Sequence, residues 1–440
     1  MEHKLLARYP IGNPRRVWKQ DNFILRTSGS APINSKLPKR SAMTHLKARR
    51  AVKTTVEAGF TLMTPLWIDI ETEMHVVRAA EQYGGNVLFA DLARFGGFGN
   101  PNKVPFYEKS DFDSVLRDTK PWKCIKGYFT WDEPITDEQL AENRRLIDRI
   151  ERERPDMLPY TVANPDYHTY IKGDPKAYAD YIDKFLDTLD PAQMDFDYYP
   201  IGNPEYVPQL QLDNSTMWSN LETVRRAAQK RSIPFWFAYQ GHHFTWQMVD
   251  YVFKHSMARS MAYAAVLHGA KAVACYGEFS GYVDNATGGK GIYFEEQKQL
   301  NYELLALGNT LMALNCLRVI HDDTLLPDHP AMEGLRTPME ESELLCGKLA
   351  ARISVSEHED AYGNKYLMVL NRDWDAERHV GLSLKNLSHV YEVSKTDGEE
   401  RFLYDAVGYF EIYLAPGDLR LFRIQPGAQE PYTVEYFLDK

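Results

Sequence analysis

Between about residue 20 and residue 320 the chain alternates short apolar runs with longer segments whose apolar residues recur every three to four positions. The runs are NFILRTS (22–28), TLMTPLW (61–67), NVLFADL (86–92), KGYFTWDEP (126–134), LPYTVANP (158–165), MDFDYYP (194–200), PFWFAYQ (234–240) and AVACYGEF (272–279). Their length and β-branched or aromatic content predict eight strands. The segments between them carry helix signals. Thr136 and Gln139 have capping-box spacing, and Leu140, Ile147 and Ile150 share one face until Pro155. Asp174 can cap a helix with Pro175 in its first position, and Tyr178, Ile182, Phe185 and Leu189 then line one side. Further helices are predicted at 44–58, 215–230 and 245–268, and along Leu300, Leu304, Leu307, Leu311 and Leu314.

Eight strand and helix alternations predict an α/β fold, a (β/α)8 TIM barrel. An open doubly wound sheet alternates in the same way, but the first strand is followed by SGSAPIN, which is no dinucleotide fingerprint, and GGFGN (96–100) reads as a loop. After about residue 345 the helices stop. KYLMVLNRD, RHVGLSLK, VYEVSK, YFEIYL and LRLFRI, separated by Gly-Asn, Asp-Gly and Pro-Gly turns, predict a small antiparallel β-sandwich. The expected division is a barrel over 1–320, a join over 321–344 and a β-sandwich domain over 345–440.

Composition narrows the partners. A formal charge of −10, spread without long like-charge blocks, disfavours nucleic acid and anionic membranes and suits a neutral substrate. Cys124, Cys275, Cys316 and Cys346 stand far apart with no CxxC pair, and are expected to be buried thiols. No stretch reaches the roughly 20 apolar residues of a membrane span. The N-terminus lacks the apolar core of a secretory signal, so a cytoplasmic protein is expected if that end is native, and a periplasmic or secreted one if a leader was removed.

The candidate chemistry lies at one end of the strands. In such barrels the loops after the strands build the mouth, so C-terminal strand residues are the reactive ones. Strand two ends near Asp69, strand three at Asp91, strand four at Trp131, Asp132 and Glu133, and strand five at Asn164. Strand six ends at Asp197, Tyr198 and Tyr199, strand seven at Gln240, His242 and His243, and strand eight at Tyr276 and Glu278. Carboxyl groups interleaved with aromatic rings, Trp236 among them, suit a sugar. Glycoside hydrolysis needs two carboxyls, one to protonate the departing oxygen and one to act as nucleophile or to activate water. Glu133 is the expected acid, because it ends an apolar strand where desolvation raises its pKa. Asp132 is expected to point to the opposite side if the strand continues. Glu278 is the first candidate for the partner, followed by Asp197 and Asp91. Adjacent histidines point apart on an extended chain and no HExxH spacing accompanies them, so no metal is expected, and no organic cofactor is implied.

GYFTWDEP with its capped helix, then PYTVANP, DFDYYPIG, PFWFAYQ and HGAKAVACYGEF, resembles the glycosidase-type (β/α)8 barrels of many bacterial polysaccharide-utilisation systems. YLAPGDLRLFRI resembles the β-sandwich that often follows them. The resemblance implies an acid/base glutamate after strand four, matched by Glu133, and a nucleophile glutamate after strand seven, where this chain has Gln240. The expected function is therefore a glycoside hydrolase acting on an oligo- or polysaccharide, with the second carboxylate displaced to Glu278 or Asp197, or with an inverting mechanism. Two other classes are a non-catalytic carbohydrate-binding barrel, motivated by Gln240, and a metal-dependent hydrolase.

Overall fold

A computed structural model describes residues 11–28, 45–65, 70–90, 112–167, 171, 173–201, 215–242, 253–276, 281–284, 286–326 and 329–427. All eight expected strands are present: β1 (Ile24–Ser28), β2 (Leu62–Thr64), β3 (Val87–Phe89), β4 (Ile125–Asp132), β5 (Leu158–Val162), β6 (Met194–Tyr198), β7 (Phe235–Gln240) and β8 (Ala272–Tyr276). They pair in parallel in the order β5-β4-β3-β2-β1-β8-β7-β6. A single parallel bridge between Ala163 and Phe196 joins the two ends, with the Ala163 N–H donating to Asp195 O at 2.8 Å. Leu62, Leu88, Phe129, Leu158, Tyr160, Trp236 and Ala272 form one buried cluster that fills the barrel.

The outer layer among the described residues is α1 (His45–Glu57), α2 (Ile70–Tyr83), α3 (Phe112–Thr119), α4 (Asp137–Glu153), α5 (Pro175–Leu189), α6 (Met217–Lys230), α7 (His255–Leu267) and α8 (Phe294–Ala313). The capping box on α4 forms as expected: Thr136 Oγ1 accepts from the Gln139 N–H while the Gln139 side chain accepts from the Thr136 N–H. Asp174 caps α5, with Pro175 in its first turn. Sequence periodicity had pointed to neither α2 nor α3. In α3 eight residues are too few to show a repeat, and it is held by Phe112 and Val115 buried against the strands. No helix among the described residues is long and apolar enough to cross a membrane.

Beyond α8 the chain enters a curled antiparallel sheet of seven strands: β9 (Asn315–His321), β10 (Leu345–Cys346), β11 (Ile353–Glu359), β12 (Lys365–Asn371), β13 (Arg378–Val393), β14 (Glu400–Leu414) and β15 (Leu419–Pro426). RHVGLSLK and VYEVSK, read as two strands, are one bent strand, β13, whose register against β14 shifts between Ser383 and Tyr391. The apolar run of β12 follows from burial on both faces. Leu367 and Val369 enter the sheet's own core, whereas Tyr366, Met368 and Leu370 join the core shared with Met257 and Met261 of α7. Cys124, Cys275 and Cys316 are buried, but Cys346 is exposed on the two-residue strand β10, too short for its side chain to be covered.

Candidate active site

The mouth is built around a local fault in β4. Phe129 opposes Tyr160 and Trp131 opposes Thr161, so Thr130 and Trp131 together face one residue of β5. Such a bulge reverses the alternation of side chains beyond it. Phe129 belongs to the barrel interior, and three residues later Asp132 lies within reach of the charge on Arg26, also interior. The next residue leaves the strand altogether. Glu133 has φ +53, the left-handed region that costs a non-glycine residue about 1 kcal/mol or more. Its neighbours hold it there: its N–H donates to Val162 O at 3.1 Å, and Asn164 Nδ2 donates to its carbonyl at 3.1 Å. Tyr181 Oη fixes the following turn by donating to Pro134 O at 3.1 Å. Asp132 and Glu133 were expected to face opposite sides if the strand continued, but it ends at Asp132. The bulge and the left-handed residue instead bring both carboxyls to one place.

Asp197, on β6, completes the cluster. Its carboxyl hydrogen-bonds with that of Glu133, and it feels the charges of Asp132 and Asp195. Burial is the first cause of every shift here, because a desolvated carboxylate loses its hydration. It lifts Asp132 to about 6, partly opposed by Arg26. Asp197 rises to about 7, with a hydrogen bond from Tyr199 opposing the rise and the charges of Asp132 and Asp195 adding to it. Glu133 is pushed well above the carboxylate range by burial, by the charges of Asp197 and Asp132, and by the shared hydrogen bond. Near neutral pH the group therefore keeps at least one proton, held against three acidic side chains.

Below the cluster lies a buried polar layer. Arg26 Nη2 donates to Asp195 Oδ2 at 2.8 Å, and Tyr160 Oη donates to the same oxygen at 2.7 Å. The Arg26 guanidinium sits 4.6 Å from the centre of the Tyr160 ring. Beside the cluster, Tyr199 and Tyr276 stack with centroids 4.6 Å apart and planes 25° apart, giving a flat wall.

Other expected contacts lie elsewhere. Tyr198 points to the helix layer, where its hydroxyl meets Thr216 Oγ1 at 2.8 Å. Trp236 lies inside the barrel and donates to Gln20 Oε1 at 2.9 Å. Gln240 clamps the chain after β6, accepting from the Ile201 N–H at 3.0 Å and donating to Ile201 O at 2.9 Å. Asn164, fully buried, holds the Glu133 turn as above, and Trp131 and His242 are buried. Asp69, Asp91, His243 and Glu278 lie outside the described residues. Among the described residues no group of three or more His, Cys, Asp and Glu side chains could hold a metal ion. Sequence reading missed Arg26, Asp195 and Tyr160. A signal existed: Arg26 is a charged residue in the middle of β1, and Asp195 stands two positions before Asp197, hence on the same face.

No family model and no curated protein sequence matches the chain. Solved structures do. A catalytic mutant of a GH42 β-galactosidase from G. stearothermophilus aligns at TM-score 0.59 and 10% identity, over 95% of this chain and all of that one, 100%. A Bacteroides fragilis protein provisionally assigned as an α-galactosidase/melibiase aligns at TM-score 0.50 and 12% identity, over 92% of this chain and 79% of that one. Structural neighbours of this chain are thus glycoside hydrolases with a (β/α)8 barrel, and at these identities the likeness is one of fold.

Proposed function

We propose that the chain is a glycoside hydrolase acting on a neutral or weakly polar oligo- or polysaccharide at the barrel mouth. Glu133 donates the proton to the departing glycosidic oxygen, and Asp197 is the second carboxylate. The observation that carries this reading is the hydrogen-bonded Glu133 and Asp197 pair at the C-terminal ends of β4 and β6, with its proton retained near neutral pH by burial and by Asp132. Carboxyls in contact are closer than the roughly 5 Å of retaining or 6.5 to 9.5 Å of inverting glycosidases. The substrate's oxygen therefore enters by parting the pair, and Glu133, with the longer side chain, is the group that swings. The stacked Tyr199 and Tyr276 offer a surface for a sugar ring, and a mouth rich in carboxyls repels anionic sugars.

Gln240 had motivated the non-catalytic alternative. Its carboxamide is engaged on both sides by Ile201, which accounts for a glutamine there without reference to catalysis. The test is Glu133→Gln against wild type on an oligosaccharide panel, with the first-formed anomer followed by NMR. The expected result is a loss of turnover of about 10²-fold or more with binding retained. Equal cleavage by both proteins would remove Glu133 from the reaction.

A further inference from the structure

We propose that Arg26, anchored by Asp195 and Tyr160 beneath the mouth, is a positioning residue that decides which mouth carboxyl carries the negative charge: it keeps Asp132 ionised and leaves the proton with Glu133 and Asp197. This rests on reading the cluster as the reacting site.

An arginine in the middle of a barrel strand needs an explanation. Arg26 is 1% exposed, with its guanidinium over the buried Tyr160 ring, and Asp195 is fully buried. Burying such a pair is costly, and well-packed apolar residues of similar volume usually serve stability as well or better. The pairing is also incomplete. Arg26 makes one bond to Asp195 and one to Thr64 Oγ1, at 3.3 Å, while its Nε and Asp195 Oδ1, both buried, have no hydrogen-bond partner among the described residues. A pair built only for stability would close both ends, as bidentate arginine and carboxylate pairs do.

What the arrangement does supply is a cation at fixed height below three acids. The groups facing it are Thr64 on β2, Asp132 on β4, Tyr160 on β5, and Asp195 and Tyr199 on β6, with Glu133 and Asp197 beyond Asp132 in the cluster. Asp195 offsets Arg26 locally and adds negative charge toward Asp197, so it favours a proton on that side of the cluster. Arg26 is the charge that opposes burial at Asp132. The two members of the ion pair thereby act on different carboxyls in opposite directions. The cation-π contact with Tyr160, whose hydroxyl is itself held by Asp195, keeps the guanidinium from following either one.

The experiment is a carboxyl-carbon NMR titration of the full chain without substrate, with aspartate labelled and Asp132 and Asp197 assigned by their Asn variants. Arg26→Gln should raise the Asp132 midpoint by about one unit or more, a tenfold gain in proton affinity. Arg26→Lys should restore most of it, and Asp195→Asn should lower the Asp197 midpoint. The last two keep volume and serve if Arg26→Gln does not fold. An Asp132 midpoint unmoved by Arg26→Gln, or one that Arg26→Lys fails to restore, would overturn the assignment, as would an Asp197 midpoint unmoved by Asp195→Asn. Because the readout needs no substrate, these shifts with no cleaved sugar would instead count against the glycosidase reading.

Discussion

Glu133 gathers in one residue the strain and the charge that the mouth has to hold. Its left-handed backbone and raised pKa both cost stability, so removing the acidity should stabilise the fold. The sign follows from the direction of the shift. A carboxyl whose pKa is higher folded than unfolded contributes stability below its unfolded pKa, near 4, and loses it as pH rises through the folded value. For Asp197 that window runs from about 4 to about 7. Asp197→Asn should therefore be more stable than wild type at pH 8, with the difference vanishing toward pH 4. Denaturant titrations at the two pH values measure it, and equal differences at both would contradict the proposed burial of charge. The same substitution should lower turnover and remove the limb of the pH profile near 7.

At the scale of elements, the turns after β4 and β6 are what place the acids. The Gln240 clamp ties β7 to Ile201, three residues beyond Tyr198, and so steadies the segment carrying Tyr199. Gln240→Ala removes both hydrogen bonds to the buried Ile201 backbone and should cost about 2 kcal/mol. Urea unfolding would show the loss, and a stability unchanged by the substitution would argue that another group takes over the clamp. Much at this scale was legible in sequence. The eight strands could be read from local apolar runs, the Thr136 and Gln139 box and the Asp174 cap from partners within four residues, and all formed. The bulge at Thr130 was not legible, because it is a relation between two strands and KGYFTWDEP alternates equally well without it.

Over the whole molecule, barrel and sheet share a core. Met257 and Met261 of α7 belong to the same buried core as Met368, Leu370, Leu419 and Leu421, and Arg259 joins Glu303 Oε2 at 2.6 Å to Asp418 Oδ1 at 2.7 Å. The join is tight at Gly417, with φ +66, where a Cβ would stand 2.4 Å from Ser256 O. Gly417→Ala should cost about 2 kcal/mol and lower one calorimetric transition for barrel and sheet together. Two separate transitions would show that the halves unfold independently. The interface also carries buried neutral histidines. Burial lowers His268 to about 4, and His358, with no exposure, lies well below its usual value. A histidine with a lowered folded pKa contributes stability above its unfolded value, near 6.5, and loses it as pH falls toward the folded one. Over that range the histidines oppose Asp197, so the difference is what reads them: between about pH 6.5 and 4 in thermal melts, His268→Gln should lose less stability, or gain more, than wild type.

Local chemistry in the chain determined the eight strands, the capped helices, the change to an antiparallel sheet after α8, and the end of the barrel where carboxyls collect. These depend on apolar period, caps and turn residues, which a single segment carries by itself. Tertiary structure decided which carboxyls meet. Asp197 touches Glu133 because β6 closes on β5 through Ala163 and Phe196, and Asp132 joins them because β4 bulges where it pairs with β5. A carboxyl's pKa and partner depend on what lies across the barrel from it, and strand order and register, which set that, are properties of the closed sheet.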